Sequence, residues 1–469
     1  MTDAPAGPTT TASPARTRPA RRSPTELTFR LDDAYVDGLT AGEPDWLAAD
    51  RRGAAAAFRA LPIEPNQLYT TYIDLRPADL AGVQPYPTTA AARDPGPHNE
   101  LPEASGIASF REDGILDIDV NREQAAAGVT IETLRSLVER DPESARRLLV
   151  ETSPLPADDP LAHLTRAGWN QGVVIRVPAG VRLPRPILVR WAVGAPGRAL
   201  LTRTIVEIGE GARASIVEEL AESDASEPGS QALLSGTTEV HLGADASLSV
   251  ASLQELGPDQ VAFQHRTSVV GEGADLRWAL AQLGGRLVRS RVDNRLVGDR
   301  SSVEQAEIVF GSGEQQFDLT SYTRHLGRDT TGNLLSKGAL LDSSRSYMKG
   351  LIIIEHSAHG TDSFLGEFGM NLSRAARAVA IPSLEIDQPD CRRAAHSSSV
   401  GPIDETQLFY LESRGIAPDE ARKFIVLGFL EPVVARVPLA DAEARLRELL
   451  EAKWTRSAAG SEAEDSTAA

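Results

Sequence analysis

Cysteine is almost absent from this sequence, whose 469 residues include one, Cys391. A single thiol excludes any disulfide within the chain and is typical of a protein of a reducing cytosol. It also limits metal chemistry, because iron–sulfur clusters are usually held by several thiolates. The chain could therefore not hold such a cluster alone in the common way.

Lysine, aromatic residues and long apolar runs are also scarce. Aromatics make up 5% of the chain, and the lysines are confined to positions 337, 349, 423 and 453. The excess of arginine and alanine suggests a GC-rich bacterial genome, and we expect a cytoplasmic protein. No apolar run reaches the roughly 18 residues that span a membrane. The net charge of −18 argues against nucleic-acid binding and against docking on an anionic membrane.

The N-terminal part of the chain is predicted to be helical and rich in loops. Residues 1–25 carry four arginines and one acidic residue and lack an apolar segment. This composition predicts a disordered basic arm and argues against a secretory signal. An organellar transit peptide is the alternative interpretation. In the region 26–170, alanine-rich sequence between Pro44 and Pro62 predicts one helix. Further helices are predicted over Thr130–Val150 and about 158–168.

A repeated corner motif begins after residue 171. Short β-branched strands alternate with corners whose first glycines lie 34, 28, 27 and 29 residues apart, at Gly209, Gly243, Gly271, Gly298 and Gly327. Self-similarity at a period of about 28 residues is typical of stacked coils. We therefore predict a parallel β-solenoid over 171–396, in which glycine supplies the positive φ of each corner. An antiparallel sandwich with regular turns is the competing interpretation.

The end of the chain is predicted to be helical again. Helices are expected between Asp404 and Arg414, from Pro418 to Phe429, and from Leu439 to Trp454, which together form a C-terminal helical domain over 397–455. The acidic, serine- and alanine-rich residues 456–469 predict a disordered tail.

Three patterns could indicate enzymatic or metal chemistry, and each has a simpler explanation. His396 is predicted to lie in the connection between the last strand, Leu384–Ile386, and the first C-terminal helix. With the serines that follow it and Asp404 it could suggest a hydrolase, but proximity in sequence is weak evidence for a triad. His356 and His359 could bind a metal, although no thiolate lies close. A β-helix enzyme acting on carbohydrates would present ranks of charged residues along one face, and here the charges are scattered.

A set of short motifs is spread over roughly residues 40–436, and those near the C-terminus are the most specific. They are Pro44–Trp46, Gly172–Val181, Gly350–Ile352, Ala380–Ile386, His396, Val400–Gly401, Leu408–Leu411, Ser413–Ile416, Glu420–Ala421 and Gly428–Phe429. Together they resemble the SufB/SufD family, the scaffold proteins of the SUF iron–sulfur cluster assembly system. SufD-type chains fit better than SufB-type chains, which carry several cysteines. Many SufD-type sequences have a cysteine two residues before the motif histidine, where this chain has Ala394.

The resemblance implies a mainly β protein, a right-handed parallel β-helix flanked by helical regions, without catalysis of its own. It implies a heterodimer with SufB, a transient iron–sulfur cluster at that interface near His396, and no cofactor bound stably by this chain alone. It also implies that the SufC ATPase docks on C-terminal helices shaped by Phe409, Tyr410, Arg414, Phe424 and Phe429, although these side chains could equally form the core of the helical pair. A SufB-like or self-pairing homodimer is the alternative within the family.

Overall fold

The computed structural model of the chain describes residues 22–86, 103–111 and 114–467. Nearly all of the predicted basic arm, residues 1–25, lies outside this part. Among the described residues, no helix is both long enough and apolar enough to cross a membrane.

The N-terminal region combines short helices with four strands. The predicted helix between Pro44 and Pro62 is confirmed, but the stretch predicted as one helix from Thr130 begins as a strand and continues as three short helical segments. Its helices and strands are α1 (Asp33–Thr40), α2 (Asp45–Ala60), a 3-10 turn (Thr70–Tyr72), β1 (Gln84–Pro85), β2 (Gly106–Arg111), β3 (Gly114–Val120), α3 (Arg122–Ala126), β4 (Thr130–Thr133), α4 (Leu134–Arg140), α5 (Pro142–Arg146), a π-helical turn (Arg147–Glu151) and α6 (Pro160–Gly168).

Sixteen strands then follow one another without an intervening helix. Most are ten residues long, which is the length of one side of a coil. They are β5 (Gln171–Val177), β6 (Ile187–Val193), β7 (Arg198–Ile208), β8 (Arg213–Glu222), β9 (Leu233–Leu242), β10 (Ser247–Glu255), β11 (Val261–Val270), β12 (Asp275–Gln282), β13 (Leu287–Leu296), β14 (Ser302–Gly311), β15 (Gln316–His325), β16 (Thr331–Leu340), β17 (Arg345–Ile354), β18 (Thr361–Asn371), β19 (Arg377–Ile386) and β20 (Cys391–Pro402).

These strands form two parallel sheets, and successive strands alternate between them. The first sheet has the order β19-β17-β15-β13-β11-β9-β7-β5-β4, and the second has β20-β18-β16-β14-β12-β10-β8-β6-β2-β3. Each strand therefore pairs with the strand two positions away in sequence, which is the topology of a β-solenoid of about eight turns. The predicted solenoid is confirmed, although its last strand continues past residue 396 to Pro402.

The corners use glycine for a different reason from the predicted one. The positive φ falls on the third residue of each corner, which is glycine in the first and third corners but not in the others: Gly211, Asp245, Gly273, Arg300 and Asp329. The first glycine is needed for close stacking instead. A Cβ added at Gly298 would lie 2.0 Å from the Glu272 backbone nitrogen, and one at Gly327 would lie 2.3 Å from the Gly298 carbonyl oxygen.

The space between the sheets, called the lumen below, is filled mainly by aliphatic side chains, together with Trp191, Trp278 and Phe317. The N-terminal region packs on the outer face of the first sheet, where it buries a second apolar cluster. Charged pairs are buried on this face too, among them Arg203 with Glu239 (2.8 Å) and Lys349 with Asp318 (2.5 Å).

The C-terminal helices pack on the outer face of the second sheet. They are α7 (Glu405–Ser413), α8 (Pro418–Val434) and α9 (Ala440–Thr467). Apolar residues of α8 and α9, such as Leu430 and Leu446, join Ala306 and Phe310 of β14 in one buried cluster. Helix α9 continues beyond Arg456, so the segment 456–469, for which composition predicts disorder, is helical as far as Thr467.

Candidate functional site

The solenoid ends at two edge strands, β19 in the first sheet and β20 in the second. No other strand among the described residues pairs with their outer sides. In β20 no residue is buried, and in β19 one of ten is. An edge strand presents unpaired N–H and C=O groups, which favour pairing with a strand of another chain. This pair of strands is called the open end below.

His396 lies in the middle of β20 and not in a connection between the last strand and the first helix, where the sequence analysis placed it. The strand escaped prediction because neither of its faces is buried, so it has no apolar alternation. His396 pairs in register with Leu365, which pairs with Leu334. Both leucines are 1% exposed and face the lumen.

Stacked residues of a parallel sheet share one face, so His396 is the last member of a column that faces the lumen. It is exposed because no further coil covers it, and its ring makes no hydrogen bond to the described residues. An unpaired imidazole has a nitrogen free to bind a metal or to accept a proton.

Cys391 lies on the same face of β20 as His396, which the sequence spacing of five residues did not suggest. The register shifts at the start of the strand: Thr361 pairs with Cys391, but Asp362 pairs with Arg393. The extra residue, Arg392, reverses the alternation of faces. The thiol is half-buried and packs with Leu334, Ile352 and other apolar side chains. It therefore belongs to the packing of the last coil.

Arg392 and Arg393 tie the edge strand to the coils below it. Arg393 donates to Asp362 (2.7 Å) and to Asn333 (3.0 Å), and Arg392 donates to Asp329. All three partners are at least partly exposed, so these contacts fix the position of β20 more than they contribute stability. They hold the strand that carries His396 without any covering strand.

The helix that follows the open end presents aromatic side chains to solvent. Asp404 caps α7 by accepting from the Thr406 N–H at 2.8 Å, and no residue of α7 is buried. Phe409 is 71% exposed and Tyr410 is 57% exposed. Exposed aromatic side chains are enriched at protein–protein interfaces, so this surface is a candidate for docking a partner.

The remaining predicted docking residues divide between surface and core. Phe424 of α8 is 57% exposed, and the guanidinium of Arg414 lies 5.2 Å from the ring of Tyr410. Phe429 is different, because it packs against the cluster on the outer face of the second sheet. Its ring lies 4.5 Å from the Lys337 amine, which also donates to the Phe429 carbonyl at 2.8 Å.

The other chemical interpretations find no supporting geometry. The Asp404 carboxylate is engaged in capping α7, so it is not aligned with His396 in a triad. His359 contacts Asp390 at 3.3 Å, whereas His356 is exposed and makes no side-chain hydrogen bond to the described residues. Within residues 22–86, 103–111 and 114–467, no three histidine, cysteine, aspartate or glutamate residues are grouped so as to hold a metal ion.

Comparison with known proteins identifies the family. Residues 191–429, slightly more than half of the chain, match the family model described as the SUF system FeS cluster assembly, SufBD core domain. Relatives include the iron–sulfur cluster assembly protein SufD of Bacillus subtilis, which is 29% identical over 294 residues, 62% of this chain. The match spans 66% of that protein, slightly less than two thirds of its length.

Staphylococcal proteins extend the match. An iron–sulfur cluster assembly SufBD family protein of Staphylococcus epidermidis is 25% identical over 346 residues, which are 74% of this chain and 73% of that protein. Another, of Staphylococcus haemolyticus, is 24% identical over 414 residues, 85% of this chain and 88% of that protein. The resemblance found in the sequence is thereby confirmed, and the chain belongs to the SufB/SufD family of the SUF iron–sulfur cluster assembly system.

Proposed function

We propose that this chain is a non-catalytic, SufD-type scaffold subunit that pairs with SufB through its open end and docks the SufC ATPase on α7 and α8. A transient iron–sulfur cluster is assembled at the SufB interface with His396 as one of its ligands. The observation that carries the proposal is the place of His396, an exposed imidazole on an unpaired edge strand.

The chemistry of the open end supports a shared site. The described residues offer no group of three metal ligands, so a cluster there needs thiolates from another chain. Imidazole is an accepted minority ligand for such clusters. Strand pairing at β19 or β20 would bring the partner's side chains to the same edge and would satisfy the unpaired backbone groups.

Anaerobic co-expression with SufB and SufC tests the proposal. The wild-type chain should co-purify with both partners and show the visible absorbance of a cluster. The variant His396→Ala should leave the complex intact and lower the cluster yield about tenfold or more, by analogy with losses at other metal sites. Ser399→Ala is the matched control, because Ser399 is exposed on the same strand.

Two outcomes would contradict the proposal. An unchanged cluster yield in His396→Ala would remove the histidine from the site. Purification of the chain as a homodimer that excludes SufB would instead favour the self-pairing alternative, in which the same edge strands join two copies.

A further inference from the structure

A column of polar side chains runs through the lumen toward the open end. Glu307 of β14 pairs in register with Ser336 of β16, which pairs with Glu367 of β18, which pairs with Ser398 of β20. Glu307 and Glu367 are 1% and 2% exposed, whereas Ser398 is exposed. Two stacking steps of about 4.8 Å place the two glutamate Cα atoms about 10 Å apart, with the Ser336 hydroxyl between them.

The lumen offers few charges to balance these carboxyl groups. The cation that faces Glu307 is Arg266 of β11, and its guanidinium already donates to Glu218 at 2.7 Å and to Ser252 at 2.8 Å. The other polar neighbours of Glu307 are the uncharged Gln282 and Ser290. One guanidinium is thus available to balance the charge of three carboxyl groups, those of Glu218, Glu307 and Glu367. In an enclosed apolar space this strongly disfavours ionisation of all three.

Glu367 is bound to the opposite edge strand. Its Oε2 accepts the Ile381 N–H of β19 at 3.0 Å. Its Oε1 lies next to Gly350, and a Cβ added at Gly350 would lie 2.8 Å from this oxygen. The titratable group on this side is the Tyr69 phenol, which donates to the Gly350 carbonyl at 3.1 Å. No cation faces Glu367 among the described residues.

We propose that Glu307 and Glu367 form a proton-sharing pair in the lumen, with Glu367 one coil below the open end, and that this pair takes up and returns protons as the cluster site above it is loaded. The second half of this statement rests on the proposed function, whereas the existence of the pair does not. Both glutamates act as proton acceptors and donors in this proposal, and neither is proposed as a ligand of the cluster.

The chemistry of loading supplies the protons. A thiol must lose its proton to bind iron: the S–H bond breaks, the electron pair stays on sulfur, and the proton forms an O–H bond on a glutamate carboxylate. The Ser336 hydroxyl can donate and accept at once, so it can pass a proton between the two carboxyl groups. Burial raises the pKa of Glu307 to about 7 and, together with the charge of Glu307, that of Glu367 to about 8. Groups in this range can both bind and release protons at neutral pH.

Infrared spectroscopy of the full-length chain alone tests the pair. At pH 6.5 exposed carboxylates are ionised, so a carbonyl band of protonated carboxyl groups should remain, and it should disappear as the pH is raised to 9.5. Glu367→Gln and Glu307→Gln should each remove part of the band. Glu304→Gln is the matched control, because this side chain of the same strand is 40% exposed and should leave the band unchanged. Absence of the band from the wild-type chain at pH 6.5 overturns the pair, and this measurement needs no variant to fold.

The pH profile of cluster yield in the complex with SufB and SufC tests the role. The pH of half-maximal yield should move by about one unit in Glu367→Gln, while Glu304→Gln should leave it in place. If the infrared band is present but the pH profile of cluster yield does not move, the glutamate pair exists but has no role in cluster loading. Failure of the proposed function would be recognised separately, as an unchanged yield in His396→Ala.

Discussion

The exposed aromatic surface of α7 gives the sharpest prediction. A phenylalanine side chain can bury roughly 150–250 Å². Because Phe409 is 71% exposed, covering it with a partner would remove more than 100 Å² from water, which contributes about 2.5–4.5 kcal/mol. Alanine keeps part of this area, so we expect Phe409→Ala to weaken SufC binding by about 2–3 kcal/mol, roughly 30- to 150-fold in Kd.

The assay is a titration of SufC against immobilised chain, combined with thermal unfolding of each variant. Phe409→Ala should leave Tm nearly unchanged, because most of this residue is already exposed in the folded chain. Two matched controls separate docking from folding. Leu430→Ala removes a side chain that is 0% exposed and should cost about 2–5 kcal/mol of stability. Leu68→Ala removes a 58% exposed leucine of the N-terminal region and should change neither property.

Two results would refute this reasoning. A change in Kd of less than about threefold for Phe409→Ala would mean that the partner does not cover this side chain, since such a change corresponds to under about 0.7 kcal/mol. A fall in Tm comparable to that of Leu430→Ala would mean that Phe409 belongs to the core of the helical pair, which is the alternative that the sequence leaves open.

Two further predictions concern the folded chain itself. Burial lowers the pKa of Lys453 to about 7, while the unfolded chain keeps this proton up to about pH 10. Between these two values the free energy of unfolding of the wild type, relative to Lys453→Met, should therefore rise by about 1.4 kcal/mol per pH unit. Urea unfolding at pH 6, 7.5 and 9 measures this difference, and a difference that stays constant would contradict the buried environment of Lys453. Gly298→Ala should lower the free energy of unfolding by about 3 kcal/mol, because the added Cβ would collide with backbone atoms of the neighbouring coil. Gly401→Ala is the control: no atom lies within 4 Å of its Cβ position, so the free energy of unfolding should change by less than about 0.5 kcal/mol. Equal effects of the two variants in thermal unfolding would refute the stacking role of the corner glycine.

The coils could be predicted because each one has the same structural requirements. Every coil needs a tight corner and an apolar inward face, and both produce a pattern with a fixed period in the sequence. Which residue of each corner adopts positive φ could not be predicted from that pattern. Asp245 and Asp329 adopt positive φ, which aspartate tolerates better than most residues, so the position of the turn was hidden by the more obvious glycine two residues earlier.

The parts that escaped prediction depend on contacts that are distant in sequence or missing altogether. The ion pair of Arg289 with Glu64 joins residues 225 positions apart, so no local pattern announces it. Strand β20 has the opposite difficulty, since it has no buried face to impose a pattern. The extra residue at Arg392, which turns Cys391 to the same face as His396, is visible only in the register with β18.

The two ends of the solenoid differ in a way that bears on where the chain acts. At the N-terminal end, β3 and β4 pair antiparallel with β2 and β5, and side chains there such as Val120 and Ile131 are 2% and 7% exposed within the core of the lumen. At the C-terminal end no further described strand pairs with β20, so His396 is exposed although it faces the lumen. Edge strands left bare promote uncontrolled pairing, so this difference between the two ends supports the proposal that another chain covers the C-terminal end. The ion pairs of Arg392 with Asp329 and of Arg393 with Asp362 hold β20 in strand form without a partner, so the edge that the proposed pairing with SufB would use is already formed in the chain alone.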